Sequence, residues 1–276
     1  MSTYERYDEA AGHYDASRGP CGFEIILGCL SACGRPLAKL SLLDAGCGTG
    51  NYTAALLPHL ASITAIDLSD GMLQVARGKA GAAAAGKVQF RKASITNIPI
   101  ADQSFDGVIF NQVLHHLEDG GDPSYGGHAA ALAEAYRVLR PGGTLVINAC
   151  SHEQLRNGFW YYGLAPEALD GVLARCAPEA RIREILHDCG FHTRDRIVPH
   201  DTVMQGDAYF DPLGPLQESW RKGDSFWALA SEGSLSAAQE MLRGLAAEGR
   251  QEAYLAAADE QRPLYGQLSF FWALRP

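Results

Sequence analysis

The sequence predicts an α/β protein: a mostly parallel sheet with helices on both faces, interrupted before its last strand by a helical insertion. Three observations predict it. Short apolar runs alternate with helix-spaced segments from residue 40 to 150, the first run opens into a glycine-rich turn, and about sixty residues of helical character precede the last apolar run. Strands that alternate with helices are joined by crossovers, and crossovers make a parallel sheet covered on both faces.

The elements follow in order. LSLLDAG (40–46) is a buried first strand, and TGNYTAALLPHL starts the helix after it. ITAIDLS (63–69) is the second strand; Ser69 or Asp70 suits the N-cap of the helix DGMLQVARGKA (70–80). KVQFRKAS (87–94) is the third strand and FDGVIFNQ (105–112) the fourth. HAAALAEAYRVL (128–139) is helical, PGG turns the chain, and TLVINAC (144–150) is the fifth strand. ARIREILHDCG (180–190) is a helix with a glycine stop, FHTRDRIVPH (191–200) alternates as a sixth strand, and GQLSFFWALRP supplies a seventh. Between the last two, SLSAAQEMLRGLAAEG and QEAYLAAADEQ carry helical spacing. Residues 1–201 and 264–276 are therefore expected to form the sheet domain, and residues 202–263 a helical cap beside it.

Composition narrows the partners. The formal net charge of −9 argues against a nucleic-acid partner, which needs clustered Lys and Arg. No run approaches the roughly 18–20 apolar residues of a membrane span, and the polar, acidic start MSTYERYDEA is unlike a secretory leader. Seven scattered cysteines without a CxxC read as reduced thiols of a cytoplasmic protein, with no metal site. Cys29 and Cys33, four apart, are expected on one helix face, where ordinary packing explains them.

The glycine turn bears on the ligand. Gly46, Gly48 and Gly50 form Gly-x-Gly-x-Gly, and Asn51 stands where a dinucleotide fingerprint has its third glycine. A phosphate loop would need Gly-Lys-Ser/Thr, which is absent, and no basic residue lies between Leu42 and Pro58. The turn can approach a ligand closely but has little to hold a pyrophosphate. Asp44 ends the first strand; Asp67 ends the second, where a carboxylate can accept both hydroxyls of a ribose. A ligand with a ribose, a base and a cationic tail suits this arrangement.

LLDAGCGTGNYTAAL, AIDLSDGML, FDGVIFNQVLHHL and RVLRPGGTLVI, in this order and spacing, resemble successive motifs of the class I S-adenosylmethionine-dependent methyltransferases. The resemblance covers residues 4–150, and more loosely 180–200 and 266–275. It implies a Rossmann-like, seven-stranded, mostly parallel sheet and S-adenosyl-L-methionine as cofactor. It also implies roles by position. Gly46, Gly48 and Gly50 line the methionine and ribose, Asp67 holds the ribose hydroxyls, and Leu68 packs on the adenine. Ser94 and Ile95 meet the adenine edge, and many relatives carry Asp at the position of Ser94. Asn111 and Gln112 face the methionine end, while Tyr14 and Arg18 belong to an N-terminal segment that folds over the cofactor.

The acceptor is expected to be a small molecule with a reactive oxygen, nitrogen or sulfur. A hydroxyl acceptor would call for a base, and His115, His116, His152 and Tyr161 are the candidates; a deprotonated amine or thiol needs only positioning. The aromatic residues Phe159–Tyr162, Trp220, Phe226 and Trp227 are candidates for the acceptor pocket or for plain packing of the cap. The alternatives are a cofactor-binding protein without transfer activity, a metalloid (arsenite-type) methyltransferase, and an NAD-dependent oxidoreductase, which Asn51 disfavours.

Overall fold

The computed structural model describes residues 19–81, 86–117 and 124–276. Tyr14 and Arg18 lie outside the described residues. Helix α1 (Phe23–Leu30) is followed by β1 (Ser41–Ala45), α2 (Asn51–Leu56), β2 (Ser62–Asp67), α3 (Asp70–Ala80), β3 (Val88–Lys92) and β4 (Phe105–Asn111). Then come α4 (Gly126–Val138), β5 (Leu139–Ala149), α5 (His152–Asn157), α6 (Pro166–Arg175), α7 (Glu179–Asp188) and β6 (His192–Ile197). The short α8 (Glu218–Arg221), α9 (Glu232–Ala247), α10 (Gln251–Ala258) and α11 (Arg262–Tyr265) precede β7 (Ser269–Leu274).

The seven strands form one sheet in the order β3-β2-β1-β4-β5-β7-β6. All neighbouring pairs are parallel except those of β7, which runs antiparallel to both β5 and β6. The strand order reverses between β1 and β4, so the carboxyl ends of these two strands flank the switch point where open α/β sheets hold ligands.

Both faces of the sheet are buried, and the strands alternate between two apolar clusters. Leu42, Ile109 and Val146 enter one; Leu43, Val108 and Leu145 enter the other. This is the period of two expected of a pleated strand. The first cluster runs on without a break into residues between β6 and β7, including Tyr209, Phe226 and Leu242.

Local signals explain most boundaries. Ser69 caps α3, its Oγ accepting from Met72 N at 3.1 Å. Ser151 and Gln154 form a reciprocal capping box on α5. Two expectations are corrected. The fifth strand begins at Leu139, so Pro141-Gly142-Gly143 lies within it instead of turning ahead of it. The irregularity is absorbed by a register shift against β4 between Phe105 and Gly107, and Arg275 beyond β7 exchanges backbone bonds with Gly142 and Gly143. Cys29 and Cys33 also do not share one α-helix, because α1 ends at Leu30 and Cys33 belongs to a separate 3-10 turn.

Candidate active site

The glycine turn is pinned before any ligand is considered. Gly46 and Cys47 both donate their amides to the carbonyl of Ile66, at 2.8 and 2.9 Å, which ties the turn to the end of β2. All three glycines have positive φ, but their surroundings differ. A side chain on Gly46 would overlap Val113, and one on Gly50 would lie 2.9 Å from Ala76 Cβ. Gly48 faces open space, with nothing within 4 Å of a Cβ there. Gly46 and Gly50 are thus required by the protein's own packing, and Gly48 is where the turn leaves room for something else.

Two carboxylates flank this space. Asp67 accepts from Gly48 N and from Ser69 N, each at 2.9 Å, one on each oxygen. Asp44 is buried and accepts from Thr53 Oγ1 at 2.6 Å through one oxygen; the other is buried without a partner. Burial pushes the Asp44 carboxyl up to about 6, against the Thr53 hydrogen bond and with a further push from the charge of Asp67. The turn carries no basic residue of its own, but Lys79 reaches it from α3 and donates to Thr49 Oγ1 at 3.4 Å and to Asn51.

Beyond Asp67, Leu68 is one of few large apolar side chains left exposed, at 36%. Ile95 is buried, and the Ser94 hydroxyl is engaged locally, 2.8 Å from Thr96 Oγ1 and accepting from Thr96 N. At the end of β4, both amide atoms of Asn111 are buried without hydrogen-bond partners. Gln112 holds a left-handed backbone at φ 48, fixed by bonds from its N and Nε2 to the carbonyl and Oδ1 of Asn148.

Next to this edge opens a cavity whose wall begins with Gln112, Val113, His115, Ala149 and Cys150. Val113 joins the two spaces: it blocks any side chain at position 46 and also lines the cavity. The far wall comes from Phe159, Tyr162, Val172, Arg175, Cys176 and Glu179, and from Met204, Gln205, Asp224 and Ser225.

The four candidate bases are not brought together. His115 lines the cavity, and its ring lies against that of His116, 3.8 Å between centroids. His116 is not on the cavity wall. His152 has its Nε2 2.7 Å from the carbonyl of Cys176 and is also off the wall. Tyr161 is fully buried among Trp160, Trp220 and Trp227, with its hydroxyl donating to Asp224 at 2.5 Å. Trp220, Phe226 and Trp227 pack around Tyr161 and are likewise not on the wall, whereas Phe159 and Tyr162 are.

Several wall residues carry no local signal. His128, Arg175, Glu179, Gln205 and Asp224 sit in four separate stretches of sequence, and only the fold brings them to one space. Asp224 caps the 3-10 turn Ser225–Ala228 through Phe226 N, a bond that sequence alone would assign as its whole purpose. Among the described residues no group of three or more His, Cys, Asp or Glu could hold a metal ion, and no helix is long and apolar enough to cross a membrane.

Known proteins are similar to this chain. A family model described as a methyltransferase domain matches residues 43–147. An uncharacterised methyltransferase of Mycobacterium tuberculosis (strain ATCC 25618 / H37Rv) is 31% identical over 126 residues, which cover 46% of this chain and 58% of the relative. The chain thus spans little more than half the length of that curated relative. Among solved structures, one from Anabaena variabilis ATCC 29413, provisionally assigned as a methyltransferase of an antibiotic biosynthesis pathway, superposes with a TM-score of 0.72 at 22% identity, covering 93% of this chain and 98% of that one. A geranyl diphosphate C-methyltransferase from Streptomyces coelicolor A3(2), solved with Mg2+, geranyl diphosphate and S-adenosyl-L-homocysteine, gives 0.56 at 14% identity over 92% of this chain and 78% of its own. Residues 43–147 thus match a methyltransferase domain, carried on a seven-stranded sheet whose fold is shared by solved methyltransferase structures.

Proposed function

We propose that the protein binds S-adenosylmethionine along the carboxyl ends of β1, β2 and β4 and transfers its methyl to a small-molecule acceptor in the adjoining cavity. The observation that carries this reading is the unmet hydrogen-bonding capacity at the switch point. Asp44 and Asn111, on neighbouring strands, keep buried polar atoms without partners beside a glycine that faces open space. Buried polar atoms without partners cost about 1–3 kcal/mol each, so a ligand that satisfies them is favoured.

The cofactor would supply an electrophilic sulfonium methyl, open to in-line displacement by an acceptor lone pair. The residues of this chain do the rest. Asp67 is held by two backbone amides and has lone pairs left to accept from ribose hydroxyls. Leu68 offers an apolar face to a base. Asp44 places a carboxylate near a cationic tail, and Asn111 offers both a donor and an acceptor. Phe159 and Tyr162 keep water from the acceptor. His115, as the one of the four candidate bases on the wall, takes the proton of a hydroxyl acceptor, while an amine or thiol that is already deprotonated needs only positioning. The residues between β6 and β7 cap this cavity through Met204, Gln205, Asp224 and Ser225. A net charge of −9 favours a small molecule over a nucleic acid.

Calorimetric titration with S-adenosylmethionine, S-adenosylhomocysteine and NAD tests the reading. Micromolar binding of the first two and none of NAD is expected. A folded sample that binds neither would overturn it. Formation of S-adenosylhomocysteine in an acceptor screen then separates a transferase from a protein that only binds the cofactor.

A further inference from the structure

One buried acceptor on the cavity wall has no hydrogen-bond partner within the protein. Gln205 is 6% exposed, lines the cavity, and its Oε1 is buried without a hydrogen-bond partner. Its neighbours fix its place: Met204 N donates to Gln267 Oε1 at 2.7 Å, and Gly206 follows with φ 54.

The charged side chains on the wall each have partners elsewhere in the protein. Asp224 accepts from the hydroxyls of Tyr161 and Tyr162 and from Phe226 N. Glu179 is paired with Arg183 and Arg196. Arg175 donates to the carbonyl of Gly171 at 2.9 Å. Arg175 is also the one Lys or Arg on the wall, set against the two carboxylates Asp224 and Glu179. A phosphate or carboxylate has no donor to give Gln205 and would face this acidic surround. A cation would have to compete with the hydroxyl and amide donors that already hold Asp224 and with the two arginines on Glu179. Gln205 Oε1 is a neutral acceptor atom, and it wants one O–H or N–H.

Beside it the wall is flat. Phe159, Tyr162 and Phe226 form a continuous stack, with interplanar angles of 12° and 7° and centroid separations of 4.5 and 4.2 Å. Phe159 and Tyr162 face the cavity. Planar rings pack best on such a surface.

Resting on the methyltransferase reading above, we infer that the acceptor is an uncharged, hydroxylated planar ring, with Gln205 accepting a hydrogen bond from its hydroxyl and the Phe159–Tyr162 stack holding its face. Gln205 then sets specificity. A site built to hydrogen-bond a hydroxyl rejects an analogue that lacks it, because the buried partner is left unpaired.

The test titrates 2-naphthol, 2-methoxynaphthalene and naphthyl phosphate into the full chain, with and without S-adenosylhomocysteine, for the wild type, Gln205→Leu and Gln205→Glu. The wild type is expected to bind 2-naphthol about tenfold more tightly than its methyl ether. Gln205→Leu erases that preference while still binding S-adenosylhomocysteine, which shows that it is folded; Gln205→Glu, which keeps an acceptor, retains it. A preference that survives in Gln205→Leu, tighter binding of naphthyl phosphate, or no binding of either neutral naphthalene would overturn the inference. Absence of S-adenosylhomocysteine binding would instead count against the cofactor reading, and the naphthol comparison without it would still decide the role of Gln205.

Discussion

The glycine turn after β1 and the aromatic wall of the cavity solve the same problem, leaving room for a small molecule, in different ways. At the turn the room is made by backbone: Gly48 is bare, and the turn is held by hydrogen bonds that its amides donate to the Ile66 carbonyl and the Asp67 carboxylate. At the wall the room is made by side chains that brace one another, Tyr162 between Phe159 and Phe226 and the Tyr161 hydroxyl on Asp224. The first design tolerates almost no change in residue type. The second tolerates many, provided the bracing stays closed.

The sharpest way to break this comparison lies within the turn itself. Gly46→Ala combines a left-handed backbone with an overlap on Val113 and should cost about 3 kcal/mol of stability or more. Gly48→Ala meets no neighbour, so it should cost only about 1–2 kcal/mol yet weaken S-adenosylhomocysteine binding at least tenfold. Urea unfolding and calorimetry on both variants check this; a Gly48→Ala protein with wild-type affinity would remove the open space from the ligand's path.

Asp67→Ala removes charge-assisted bonds worth about 1.5–3 kcal/mol and should lower cofactor affinity by tenfold or more. It also frees the amides of Gly48 and Ser69, so some loss of stability is expected alongside. Unchanged affinity in the folded variant would take Asp67 out of the site.

Asp44 gives a pH signature. Its carboxyl titrates near 6 in the folded protein, above its ordinary value, so between about pH 4 and 6 the folded state holds the extra proton. Stability contributed by that proton is present at the acid end of the window and lost as pH rises through 6. Asp44→Asn should flatten this slope and raise stability at pH 7 by about 2 kcal/mol, while weakening cofactor binding. Thermal unfolding across pH 4–8 would show an unaltered slope if the buried carboxyl were not its source.

The smallest effect on cofactor affinity is expected at the wall. Tyr161→Phe leaves Asp224 with one donor fewer and should cost about 1–3 kcal/mol. Tyr162→Phe, whose bonds to Asp224 are 3.3 and 3.4 Å long, should cost less. Neither should alter S-adenosylhomocysteine affinity; if either does, the wall and the turn are more tightly coupled than their separate bonding suggests.

The same contrast governs what the amino-acid sequence makes legible. Strands buried on both faces are continuous apolar runs, and caps such as Ser69 sit beside the helices they start, so the elements around residues 40–149 can be read locally. The turn can be read from its three glycines, each of positive φ, although which of them faces open space requires knowing that Val113 and Ala76 occupy the other two places. Gln205 and Glu179 cannot be read at all. Each looks like an ordinary polar residue until the sheet brings β5, α7 and the β6–β7 segment to one space. Tyr161 shows the opposite failure: a phenol in a promising stretch, turned instead into the packed interior by its bond to Asp224.

Because β7 lies beside β6, the chain leaves the sheet at Ile197 and re-enters it on the adjacent strand, with Ile197 paired to Phe270. The two anchor points of residues 198–268 are thus about one strand spacing, roughly 4.8 Å, apart. Lengthening such an excursion costs little, since closure entropy grows only with the logarithm of its length. The segment can be exchanged as a cassette while the strands beneath it keep their register. On the proposed reading, a lineage that rewrites this excursion changes the acceptor without disturbing the turn after β1.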